Sequence, residues 1–334
     1  MAIENRQIVL TSVPENELKA SHFELQVTPM PQASEGEVLV KTLYMSLDAA
    51  NRAWMRGPSY RDAVVAGDVM PTFCIGLVEQ STDTTIAVGS IVETEGVWAD
   101  YFLVKGDSLK VVPNTQPLSH LLSVRGIAGK TAYFGLLNIG QPQAGETIVV
   151  SGAAGSVGTL VGQIGRIKGC RVVGIAGSEE KCTWLVDELG FDAAVNYKSG
   201  NLFKDLKANC PNGIDVYFDN VGGTVLETVL YHMNLKGRIV CCGAVSQYDS
   251  SNPAGPRNLP GLVVVKRLRM EGFIAFDFPE HEAKADADLA SWAANGSIKV
   301  VEDVVDGLEN APEALVGLLN GENRGKRMVR VASS

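Results

Sequence analysis

The chain has 334 residues, about two domains at roughly 150 residues each, so a peptide or a single small module is excluded. Its 29 basic and 38 acidic residues give a formal charge of −9, and the basic ones are scattered, which disfavours a general nucleic-acid or anionic-membrane binder. Apolar content of 46% with 20% charged residues is that of a soluble globular protein, while 35 glycines exceed the ~7% average and ask for many turns or close backbone approaches.

The first 14 residues carry Glu4 and Arg6 and hold no apolar run long enough for a signal-peptide core. Residues 1–125 read as β-rich. Val38, Val40, Thr42 and Tyr44 alternate with Leu39, Lys41 and Leu43, and strand-like runs recur at 74–79, 89–94 and 98–104 between Gly and Pro. From 126 to 295 the texture becomes strand runs alternating with helical patterns, at 147–151, 171–176, 193–196, 214–220, 237–243 and 268–274. That spacing predicts successive βαβ units and a doubly wound parallel sheet. Between the first two runs Val157, Leu160, Val161, Ile164 and Ile167 fall on one helix face. The stretch 246–261, rich in Ser, Asn, Pro and Gly, predicts a long loop at the carboxyl ends of the strands, where open α/β sheets bind ligands. Residues 296–334 return to strand, helix (311–319) and strand (327–331) and are grouped with the β-rich part.

The uncharged stretch 147–165 is near membrane-spanning length but holds five glycines with Ser151, Ser156, Thr159 and Gln163, and is read as strand, turn and helix. The six cysteines form no C-x-x-C pair, so free thiols in a reducing cytoplasm are expected. The histidines, His22, His120, His232 and His281, show no paired spacing, and no metal site is expected. A G-x-S-x-G nucleophile elbow is absent, which leaves a serine hydrolase unsupported.

The strongest local signal is TIVVSGAAGSVG, a strand running into Gly152, Gly155 and Gly158 and then into the amphipathic helix. The spacing is G-x-x-G-x-x-G, and Ala153 or Ala154 is small enough to stand in for the missing glycine. A side-chain-poor turn admits a pyrophosphate against the unpaired N–H groups of Ser156, Val157 and Gly158. The alternative is that these glycines serve packing alone. The second strand ends Ile175-Ala176-Gly177-Ser178 without the carboxylate that would bind a ribose 2′-hydroxyl, and Lys181 follows in the first helical turn. That combination favours the 2′-phosphate of NADP. The plainer reading makes Ser178 the N-cap of the next helix, with Lys181 a solvated residue at its third position.

The organisation resembles the medium-chain dehydrogenase/reductase superfamily. Residues 132–140 (AYFGLLNIG), 145–158, 163–182, 213–223 (GIDVYFDNVGG), 243–248 (GAVSQY) and 307–327 together resemble its zinc-free NADPH-dependent double-bond reductases, the group of curcumin, prostaglandin and plant alkenal reductases. The resemblance implies a Rossmann NADP-binding domain (126–295) and a β-rich GroES-like substrate domain (1–125 and 296–334), paired as a homodimer through the edge run 268–274. It implies that Ser178, Lys181 and Tyr197 meet the 2′-phosphate, that Gly152 and Ala154 to Gly158 form the pyrophosphate turn, and that Asn220 and Asn323 lie near the phosphates and ribose. It places Tyr44 and Tyr248 at the substrate, although Tyr44 also fits an ordinary core position and Tyr248 an ordinary loop aromatic.

The implied reaction is reduction of an α,β-unsaturated ketone or aldehyde. Hydride reaches the β-carbon, a neutral tyrosine hydroxyl meets the charge developing on the carbonyl oxygen, and the α-carbon is protonated. Two departures bear on the substrate: the family's D-P-Y-M-R is here Asp48-Ala49-Ala50-Asn51-Arg52, and its G-M-P-G is Gly126-Ile127-Ala128-Gly129. A quinone reductase, a zinc-free alcohol or carbonyl oxidoreductase and an NADPH-binding redox sensor are the competing readings.

Overall fold

The computed structural model describes residues 4–57, 59–250 and 255–332. They form two compact units, one of Met1–Leu122, Glu302–Glu322 and Arg327–Ser334, the other of Ser123–Val301 and Asn323–Lys326. The division therefore falls at 122/123 where 125/126 is expected, and residues 296–301 and 323–326 go with the second unit. The physical reason is packing. Ile298 is buried in the second unit's core with Val300 and Val301 against it, and the Gly325 N–H donates to the Ala154 carbonyl at 2.9 Å.

The first unit holds a seven-stranded sheet in the order Glu302–Asp306, Lys326–Arg330, Glu37–Ser46, Pro71–Ser81, Ile91–Val97 and Lys110–Val112, with Tyr101–Lys105 paired to Glu37–Ser46. The alternating run at 38–44 is part of strand Glu37–Ser46, which lies between partners with both faces buried. Val38, Val40 and Met45 enter one core and Leu43 another. A separate antiparallel ribbon, Glu4–Leu10 with Phe23–Pro29, completes this unit's strands.

The second unit is built on a six-stranded parallel sheet in the order Ala193–Asn196, Arg171–Ala176, Thr147–Ser151, Ile214–Asp219, Met233–Cys241 and Arg269–Gly272. This is the doubly wound order, with its switch point between Thr147–Ser151 and Ile214–Asp219. Every residue of Thr147–Ser151 is buried, as a strand covered on both faces requires. Helix Ser156–Ile167 lays Leu160, Val161 and Ile164 into the core, each worth about 1.5–3 kcal/mol of burial. Its glycines let it come close: a Cβ at Gly162 would sit 1.9 Å from the Phe191 ring and one at Gly165 would sit 2.8 Å from Ile148.

The expected loop at 246–261 is partly helical. A 3-10 turn covers Val245–Gln247, residues 251–254 lie outside the described residues, and helix Leu259–Lys266 begins inside the expected loop. Pro260 reads as a loop residue in sequence, yet it occupies the helix's first turn, where its missing N–H costs nothing. The stretch 147–165 is strand, turn and helix, and no helix among the described residues is long and apolar enough to cross a membrane.

Candidate cofactor and active site

Strand Thr147–Ser151 delivers the chain to Gly152, whose φ of +59° lies in the left-handed region. Ala153 and Ala154 turn inward and are buried, so the turn surfaces at Gly152, Gly155, Ser156 and Val157. A Cβ on Gly158 would lie 2.3 Å from the Gly152 carbonyl oxygen and 2.7 Å from the Ala153 Cα, so this close contact admits only glycine. No side chain caps the helix that starts at Ser156. Its first N–H groups therefore face outward from a surface almost free of side chains, which fits a pyrophosphate.

Strand Arg171–Ala176 leads to Gly177 and Ser178 beside this turn. Ser178 caps helix Glu179–Asp187, its Oγ accepting the Lys181 N–H at 3.2 Å, so the plainer reading of Ser178 holds geometrically. The Lys181 ammonium donates to the Asn323 carbonyl at 2.7 Å, which aims it along the strand end. Asn323 is buried and spends its side-chain amide on the Gly325 carbonyl at 2.8 Å, so its backbone, not its side chain, meets Lys181. Tyr197 is 42% exposed and its ring lies along Gly177, where an added Cβ would be 3.4 Å away.

The structure thus gathers Ser178, Lys181, Tyr197 and Asn323 around one strand end. It adds Lys198, whose Cε would lie 3.6 Å from a Gly177 Cβ and whose ammonium is 5.8 Å from the Tyr197 ring centre. The nearby acids are engaged: Glu179 accepts from Asn196 and Glu180 pairs with Arg324. Two lysines beside carboxylates that already have partners fit a ribose 2′-phosphate.

At the switch point the Asn220 side-chain amide donates to the Ser151 carbonyl at 2.7 Å, and its Cβ lies 3.5 Å from where a Gly152 Cβ would be. Asn220 therefore pins the two strand ends together at the edge of the glycine turn. The 242–248 segment hangs beside it and carries Tyr248, whose hydroxyl oxygen accepts the Ala244 N–H at 3.2 Å. Burial pushes the Tyr248 phenol up, the Ala244 bond pulls it down, and Cys242 and Asp219 nearby push it up again. The net upward shift keeps the hydroxyl a proton donor at neutral pH.

Tyr44, in the other unit, follows a register irregularity between Thr42 and Tyr44 and lies opposite Arg330 on the neighbouring strand. A bulge of this kind re-aims a side chain, so Tyr44 departs from the simple alternation of its strand. The altered segment at 48–52 is partly structural: Asp48 caps helix Ala49–Ala53, Asn51 accepts the Asp48 N–H at 2.8 Å, and Asn51 and Arg52 are buried. Ala50 also packs against the core of its unit. Among the described residues no group of three or more His, Cys, Asp or Glu side chains is placed to hold a metal ion.

Three participants escape sequence reasoning. Lys198 had a weak signal as the neighbour of Tyr197. Gly325, with φ +68° and a would-be Cβ 2.2 Å from the Val301 carbonyl, had none. Asp219, buried at the end of Ile214–Asp219, was visible only as the first letter of DNVGG.

Residues 6–112 match a family model described as the N-terminal domain of oxidoreductase, and residues 156–292 one described as zinc-binding dehydrogenase. The chain is 42% identical to the NADPH-dependent curcumin reductase of Escherichia coli, covering 98% of this chain and 97% of that one. It is 40% identical to prostaglandin reductase 1 of Bos taurus, covering 93% and 94%. Among solved structures, CurA from Vibrio vulnificus in complex with NADPH matches with a TM-score of 0.94 at 42% identity, over 98% of this chain and all of that one.

Proposed function

The chain belongs to the medium-chain dehydrogenase/reductase family, in the group that holds the curcumin and prostaglandin reductases, and from that membership we propose that this NADPH-dependent oxidoreductase reduces the carbon-carbon double bond of an α,β-unsaturated ketone or aldehyde. The observation that carries this reading is the meeting, at the carboxyl ends of the two central strands of the parallel sheet, of the Gly152–Gly158 turn and the segment bearing the Tyr248 hydroxyl, joined through Asn220.

Gly152, Ala154, Gly155, Ser156, Val157 and Gly158 hold the pyrophosphate, and Ser178, Lys181 and Tyr197 the 2′-phosphate, with Asn323 supplying the carbonyl that steers Lys181. Asn220 keeps the turn in register with the neighbouring strand. Bound NADPH supplies the hydride that reduces the β-carbon. Tyr248 donates its hydroxyl hydrogen bond to the substrate carbonyl oxygen, where negative charge grows as the hydride arrives, a contact worth roughly 2.7–4 kcal/mol in favourable cases. Tyr44 is the second candidate donor. The α-carbon takes its proton from water or a hydroxyl, and no metal is required.

The exposed edge strand Arg269–Gly272 and the bare Val264 and Val265 of the preceding helix support a homodimer. Six unpaired cysteines, four of them buried, fit a reducing cytoplasm. The reading is tested by following NADPH absorbance with and without a simple enone. Oxidation that depends on the enone is expected, and NADPH binding without turnover would leave a cofactor-binding sensor instead.

A further inference from the structure

Asp219 is 2% exposed, yet it lies at the carboxyl end of its strand, within the site. One of its oxygens, Oδ1, accepts from the Ser151 hydroxyl at 3.1 Å, the Tyr217 hydroxyl at 2.8 Å, the Val221 N–H at 3.0 Å and the Gly222 N–H at 2.9 Å. The Ser151 hydroxyl in turn accepts the Asn220 N–H at 2.9 Å. A single carboxylate therefore fixes the backbone turn 220–222 from inside.

That turn is what the Tyr248 segment hangs on. The Asp219 carbonyl accepts the N–H groups of Cys242 at 2.9 Å and Gly243 at 3.1 Å, and the Asn220 carbonyl accepts that of Val245 at 3.2 Å. The Val221 carbonyl accepts from the Ser246 N–H at 3.2 Å and the Ser246 hydroxyl at 2.6 Å. Tyr248 then closes on its own segment through the Ala244 N–H at 3.2 Å. The path from carboxylate to phenol is continuous and made of backbone bonds, which leave little slack.

We propose that Asp219 is a positioning residue for the reduction: acting as a hydrogen-bond acceptor, it sets the 220–222 turn and thereby holds the Tyr248 hydroxyl where the substrate oxygen must be met. The proposal rests on Tyr248 serving as the donor. A donor displaced by about 1 Å loses rate out of proportion to any loss of binding, up to roughly 100-fold. Asn in place of Asp keeps an oxygen for the same donors but weakens each bond, because the acceptor is no longer charged.

The test is a cycle of D219A, D219N, Y248F and the two double variants, read by kcat and KM with NADPH and an enone and by amide hydrogen exchange. D219A is expected to lower kcat about 10- to 100-fold and D219N about 3- to 10-fold, with KM for NADPH within about fivefold. Neither is expected to lower kcat further in the Y248F background. Exchange at 242–248 is expected to quicken at least about tenfold in D219A, while helix Ser156–Ile167 keeps its protection. If D219A does not fold, D219N carries the same cycle. Multiplicative losses, equal losses in D219A and D219N, or unchanged exchange at 242–248 each overturn the positioning role. Full activity in Y248F alone instead removes Tyr248 as donor, and with it the reason for positioning it.

Discussion

The Tyr248 hydroxyl accepts the Ala244 N–H and is kept protonated by burial. Tyr248→Phe is expected to lower turnover of an enone about 10- to 1000-fold with NADPH affinity within about threefold, since the bond to developing charge is lost together with the Ala244 contact while the glycine turn keeps its residues. Tyr44→Phe is the comparison, and an impaired Tyr44→Phe beside an unimpaired Tyr248→Phe would move the role to Tyr44. Because the Tyr248 phenol is shifted upward, deprotonation of the donor should not depress kcat below the ordinary tyrosine value of ~10. A fall in kcat centred near pH 8 and abolished in Tyr248→Phe would contradict the upward shift. Lys181→Ala is expected to raise KM for NADPH far more than for NADH, and equal effects on the two would sink the phosphate assignment. The partners of these side chains leave no local signal in the sequence. The bond from Lys181 to Asn323 spans 142 positions, and Ser178 is a helix cap whatever else it contacts, because local geometry decides that first.

Secondary-structure elements were legible where composition and pattern agreed. The runs at 147–151, 171–176 and 193–196 match observed strands, as does the amphipathic helix after the glycine turn. Helix Leu259–Lys266 was hidden because Asn258 and Pro260 read as loop signals, although its Leu259, Leu262 and Val263 pack against a core of the second unit. Gly325 was hidden because a close approach between distant segments leaves no local pattern. The Gly325→Ala change meets both a left-handed φ and the Val301 carbonyl, and is expected to destabilise the protein by about 1–3 kcal/mol or more, measured by denaturant unfolding. Wild-type stability there would show that the 323–326 segment does not bear on the glycine turn.

Across the whole molecule, the division into a β-rich part and a doubly wound part was legible from the change of texture near 125, whereas the threading of 323–326 into the second unit was not. Strand Arg269–Gly272 is exposed at the edge of the parallel sheet, where a second chain can pair with it. Light scattering at micromolar concentration is expected to return about twice the chain mass of 35.6 kDa, and a monomer mass would refute the dimer. The central claim is chemical: hydride goes to carbon β to a carbonyl. Its most direct test is incubation with an enone and NADPH carrying deuterium at the transferred position, followed by NMR of the product. The account predicts a saturated ketone or aldehyde with deuterium on the β-carbon. An allylic alcohol with deuterium on the former carbonyl carbon would contradict it.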